Sequence, residues 1–219
     1  MRRVGTSSFV GLGILFLANG LSAQELAAIP PEHPGGYPSV FMRVYGSAEP
    51  PSAFNRFCQE NPEECTATSK TMTRVDASPE ALRALDEINR HVNQTITPET
   101  DLQHYGIEDY WTLPMDGKGD CEDYALLKRH ELMKVGWPSS ALLMTVVSDE
   151  KGKGHAVLTA RTTEGDFILD NKVDEVRLWN QTPYQFLMRQ SYLNPRVWVA
   201  LDPMRHVTPV PIAGFGARR

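Results

Sequence analysis

Beyond its N-terminus the sequence has no apolar run long enough to cross a bilayer, no cluster of basic residues, no internal repeat and only three cysteines. A spanning helix needs about 20 consecutive apolar residues, so the mature chain is expected to carry no transmembrane helix. Basic residues occur as isolated pairs such as Lys128-Arg129 and Arg218-Arg219 in a chain of net charge −5. That pattern lacks the electrostatic footprint of a nucleic-acid binder. The cysteines form no Cys-x-x-Cys pair and no Cys/His spacing of a structural zinc site. With 219 residues, 41% of them hydrophobic, there is enough chain for one well-buried core.

The apolar run that is present, Phe9 to Leu17, follows Met1-Arg2-Arg3 and precedes Leu21-Ser22-Ala23. Short, preceded by positive charge and ended by small residues, it reads as a signal peptide over residues 1–23, with an uncleaved anchor as the alternative. The expected location is the periplasm or the exterior. Cys58 and Cys65, seven apart, can close a local disulfide in such an oxidising compartment, which leaves Cys121 as the odd thiol. In the alternative, Cys58 is a core residue and Cys65 a surface thiol. Residues 24–50, rich in proline and glycine, read as an irregular arm, 51–202 as the working domain and 203–219 as a loose tail.

Within that domain, Ser78-Pro79-Glu80 caps a helix whose Leu82, Leu85, Ile88 and Val92 recur at helical spacing. Ala125 to Val135 is composed of good helix formers and stops at Gly136-Trp137-Pro138, with Lys128 and Arg129 expected on a solvated face. Residues 155–161 and 166–170 read as two strands joined by Thr162-Thr163-Glu164-Gly165. Thr182-Pro183 is expected to start a short helix through Arg189, and residues 196–201 to form a further strand.

Chemistry concentrates in Gly119-Asp120-Cys121-Glu122-Asp123-Tyr124-Ala125. Cys121 falls in the first turn of its helix, where unpaired backbone N–H groups favour a thiolate. Asp120, Glu122 and Asp123 act in the opposite sense, because their charge raises a thiol pKa unless a cation or a histidinium offsets it. Folding the hairpin back on itself brings His155 within about two positions of Asp170 on one face. A carboxylate so placed can fix an imidazole tautomer while the other ring nitrogen serves a nucleophile. Read instead as metal ligands, Cys121 and His155 lack the third nitrogen or sulfur ligand zinc requires.

Together with Lys128-Arg129, Gly136-Trp137-Pro138, Gly154-His155-Ala156-Val157-Leu158 and Leu169-Asp170-Asn171, the Cys121 motif resembles the bacterial transglutaminase-like cysteine peptidases, the family of the periplasmic LapG-type proteases. Phe54-x-x-Phe57-Cys58, Val92-Asn93, Tyr105-Gly106 and Asp109-Tyr110-Trp111 extend the resemblance over roughly Pro51 to Leu201. It implies an α+β, papain-like and transglutaminase-like core, its nucleophile helix packed on an antiparallel β-sheet, with Cys121, His155 and Asp170 as catalytic triad. It further implies calcium held by Asp120 and Glu122, with Asp123 a weaker candidate, and a surface adhesin as protein substrate. Trp111 falls where the resemblance implies docking onto a membrane-bound cyclic-di-GMP receptor, the alternative being that it packs beneath the active-site loop. Attack by Cys121 ends in proteolysis if water resolves the thioester and in transamidation if an amine does. A calcium-dependent binding module that does not use Cys121 is the non-catalytic alternative.

Overall fold

The computed structural model describes residues 39–67 and 73–203. Nine strands occur among them: β1 (Gly46–Ala48), β2 (Thr97–Pro98), β3 (Lys118–Gly119), β4 (Leu142–Ser148), β5 (Gly154–Thr162), β6 (Gly165–Leu169), β7 (Arg177–Leu178), β8 (Gln185–Gln190) and β9 (Trp198–Ala200). The helices are α1 (Ser52–Glu60), α2 (Pro79–Thr95), α3 (Asp101–His104) and α4 (Cys121–Lys134). Seven strands form an antiparallel sheet in the order β1-β9-β8-β4-β5-β6-β7, while β2 and β3 make a short parallel pair. The architecture is therefore α+β, with α4 packed on β4 and β5 and α2 packed on α4.

Period-two alternation sorts the central strands onto two buried faces. Leu142, Met144 and Val146 of β4, Leu158 and Ala160 of β5, and Leu169 of β6 share a core with Leu126 and Leu132 of α4, Phe54 and Phe57 of α1 and Leu85 of α2. The alternate residues Val147, Val157, Ile168 and Phe186 form a second cluster with Met42 and Leu201. Residues 182–189, expected as a helix, instead lead into β8, and Gln185–Gln190 pairs with β4 and β9. Phe186, Leu187 and Met188 are buried on both faces, so the segment shows no alternation by which to recognise a strand. The irregular arm also ends earlier than expected, because Gly46–Ala48 pairs with β9. The expected strand near the C-terminus is present as β9. The leader over 1–23, the arm through residue 38 and the tail from 204 lie outside the described residues.

Helix α4 stops where Gly136 takes φ +99° and the N–H groups of Gly136 and Trp137 return to the carbonyls of Met133 and Leu132, a Schellman closure. Lys128 and Arg129 are not on a solvated face, being 0% and 1% exposed. The helix is enclosed by its neighbours, and Arg129 answers its burial by donating to the Glu64 carbonyl at 2.8 Å and to Glu64 Oε2 at 3.1 Å. Glu64 also meets His130 Nδ1 at 2.5 Å. The Cys58–Cys65 disulfide, Cα atoms 5.5 Å apart, closes the loop that carries Glu64. Glu64→Ala leaves the guanidinium buried without its carboxylate and should cost about 3 kcal/mol, read as a lower denaturant midpoint with an unchanged slope. Among the described residues no helix is long and apolar enough to cross a membrane.

Candidate active site

Cys121 opens α4 behind the N-cap Asp120. The Asp123 carboxylate turns back to accept the Asp120 N–H at 3.2 Å and the Thr112 N–H at 3.0 Å. Gly119 makes that fold-back possible, since a Cβ there would lie 2.5 Å from Asp123 Oδ2. The motif thus ties the loop before α4 and the helix start into one hydrogen-bonded turn.

On the sheet, Leu158 pairs with Leu169, which carries Asp170 to a position beside Val157, two residues from His155. His155 Nε2 and Asp170 Oδ1 lie 2.8 Å apart, both side chains buried. The other carboxylate oxygen accepts from Tyr184 Oη at 2.5 Å, and the Lys172 N–H donates to Oδ1 at 3.0 Å. Burial alone would raise the Asp170 pKa, but the hydrogen bond and charge of His155, with those from Tyr184 and Lys172, hold it below the ordinary value. The N–H of Ala156, the residue after His155, donates to Cys121 Sγ at 3.4 Å. The His155–Asp170 pair and the Cys121 sulfur thus meet through the backbone of Ala156, where α4 begins and β5 begins.

The surroundings of the sulfur favour the protonated thiol. Sγ donates to Glu122 Oε2 at 3.1 Å. Burial first, and then the charges of Glu122 and Asp120, push its pKa well above the usual thiol range. The carboxylates responsible belong to a larger group: ligand oxygens of Asp101, Asp109 and Glu122, and likewise of Asp101, Asp120 and Asp123, lie within 4.8 Å of one another. Burial, reinforced by neighbouring carboxylates, raises Asp101 and Asp109 to about 6 and Asp123 to about 8, and Glu122 rises well above its usual value. Asp101 Oδ1, Asp120 Oδ1 and Glu122 Oε1 are buried without a hydrogen-bond partner. Converging hard oxygens with unused lone pairs suit a calcium-sized cation. Asp120 and Glu122, expected as ligands, belong to the group with Asp123, and Asp101 and Asp109 join it from outside the Cys121 motif. Asp101 reads in sequence as an ordinary acidic residue in the first turn of α3. Asp109 is marked in sequence by the Asp109-Tyr110-Trp111 stretch.

Trp111 does not form an exposed docking anchor. It is 1% exposed and packs edge-on against Phe54 and Trp198, with centroids 5.5 and 6.3 Å away. Its indole N–H donates to Asp109 Oδ1 at 2.9 Å, so the ring orients one of the clustered carboxylates. An interface anchor needs an accessible ring, and this one is consumed by the core.

Comparison with solved structures returns calcium-bound Legionella pneumophila LapG at 25% identity, covering 63% of this chain and 78% of that one, with a TM-score of 0.49. Legionella pneumophila LapG and its EGTA-treated form match at 30% identity over 52% of this chain, with TM-scores of 0.44. The match spans 65% and 64% of those two chains, less than two thirds of each. Comparison with functionally curated proteins gives no significant match. The family model described as bacterial transglutaminase-like cysteine proteinase matches residues 44–206, an interval containing β1, the Cys121 helix, the His155 and Asp170 hairpin and β9. Well over half of the sequence lies within that match, and the chain belongs to the bacterial transglutaminase-like cysteine proteinase family.

Proposed function

We propose that this cysteine peptidase hydrolyses a polypeptide through Cys121, His155 and Asp170, with calcium on the adjoining carboxylates. The observation that carries the reading is the buried His155–Asp170 pair at 2.8 Å, with His155 on the strand whose next N–H reaches the Cys121 sulfur. With Nε2–H engaged by Asp170, the free lone pair of His155 is on Nδ1, which takes the thiol proton. Sγ then bonds to the carbonyl carbon, and N–H groups at the start of α4 receive the developing oxyanion. As the C–N bond breaks, His155 passes the proton to the leaving amine. Water, deprotonated by His155, hydrolyses the thioester and releases Cys121.

Asp101, Asp109, Asp120, Glu122 and Asp123 are the residues that would hold calcium. When bound, the ion supplies positive charge that offsets the carboxylates beside the nucleophile. The disulfide and the leader-like N-terminus support action outside the cytoplasm, in the periplasm or beyond. The substrate class proposed from the family resemblance is a surface adhesin, with a membrane-bound cyclic-di-GMP receptor as regulator.

The direct test is a proteome-derived peptide library incubated with calcium and the enzyme, read by mass spectrometry beside a fluorescent amine. New termini that vanish in Cys121→Ser support hydrolysis. Amine incorporation without new termini would assign transamidation, and neither product would leave a binding module.

A further inference from the structure

We infer that Tyr184 is a positioning residue for the proposed reaction, its phenol fixing the Asp170 carboxylate and, through it, the tautomer of His155. The inference rests on the triad reading above.

Asp170 stands just past the end of β6, beyond the last ladder pair of the hairpin, so the sheet itself does not fix its side chain. Its backbone carbonyl is held by Asn93 Nδ2 of α2 at 3.0 Å. The carboxylate depends on three donors: His155 Nε2–H and the Lys172 N–H on Oδ1, and Tyr184 Oη–H on Oδ2. Of these, only Tyr184 occupies the second oxygen. It comes from the segment entering β8, which lies on the far side of β4 and β5 from β6 in the sheet. The same ring meets the His155 imidazole edge-on at 5.6 Å, so one side chain touches both members of the pair.

The carboxylate also has somewhere to go. Asp170, Tyr184, Ile168, Val173 and Pro183 line a cavity of about 200 Å³. Without the phenol, rotation toward that space would release Nε2–H, and the imidazole could then carry its proton on Nδ1, the nitrogen needed as base. The charged groups around the pair are Lys128 from α4, Lys172, Asp174 and Glu175 from the loop after β6, Arg177 from β7, and Asp149 and Glu150 from the β4–β5 turn. Lys172 is already engaged by Asp149 at 3.0 Å, and the Lys128 ammonium has no hydrogen-bond partner. None of these supplies the contact at Oδ2.

The experiment compares the calcium-loaded wild type with Tyr184→Phe, which keeps the ring against His155 and removes only the hydroxyl. In ¹⁵N NMR, His155 of the wild type should show a single Nε2–H tautomer, and the variant a mixture with Nδ1–H. With a peptide cleaved in the library assay, kcat should fall about tenfold while KM stays within about twofold. An unchanged tautomer, or an unchanged kcat, would overturn the inference. Asp170→Asn, measured alongside, gives the NMR signature of a histidine that has lost its carboxylate. The NMR readout needs no turnover, so failure of this inference is distinguishable from failure of the peptidase reading, which Cys121→Ser decides.

Discussion

Cys121→Ser should lower peptide cleavage by at least about 10⁴-fold and leave the fold and calcium binding intact. The hydroxyl is isosteric enough to keep the α4 cap and the approach of the Ala156 N–H. It cannot become the anion that the attack requires, because burial and the Glu122 and Asp120 charges already oppose ionisation of the far more acidic thiol. His155→Ala should approach the same loss. Triad members act as a unit, so the double variant should be little worse than either single one. Additive losses would show that Cys121 and His155 work independently, and that no nucleophile–base pair exists.

The second large effect belongs to the carboxylate group. Chelation should reduce cleavage by about 100-fold or more, and Asp101→Asn should weaken calcium binding by a factor on the order of 10² although it lies 20 residues before Cys121 in sequence. The pH dependence follows from the raised pKa values. In the unfolded chain these groups titrate near about 4, whereas folded Asp101 and Asp109 titrate at about 6 and Asp123 at about 8. The metal-free fold therefore holds extra protons in this window. The stability these groups contribute is complete below the unfolded values and is lost as pH rises through the folded ones. Calcium requires the deprotonated forms, so its affinity should rise between pH 6 and 8 with release of protons. Saturation at about 1,000 times Kd adds about 4 kcal/mol, a Tm increase on the order of 10 °C for a domain of this size. Titration calorimetry in buffers of different ionisation enthalpy checks the sign; an affinity independent of pH, with no proton release, would refute the assignment.

Local rules reached furthest where one short segment decides its own geometry. The 155–170 hairpin is of this kind, because turn length and strand alternation alone bring His155 and Asp170 to one face. Helix α4 is another, with formers in its body and Gly136 at its end. Legibility failed where distant chain competes for the same residues. Phe186 to Met188 is a strand because β4 and β9 need a central partner. Lys128 and Arg129 look like surface residues until α2 and the Glu64 loop close over them. Trp111 looks like an anchor until Phe54 and Trp198 take up its ring. Asp101 and Asp109 join the site through the loop between β2 and β3, which no periodicity reports.

The measurement that bears most directly on the central claim is the rate of Cys121 alkylation by iodoacetamide against pH, with calcium and with chelator, in the wild type and His155→Ala. An activated nucleophile predicts rapid labelling below about pH 7 in calcium, slowed both by chelator and by the loss of His155. Labelling only at the pH of an ordinary thiol, the same in the variant and indifferent to calcium, would contradict it.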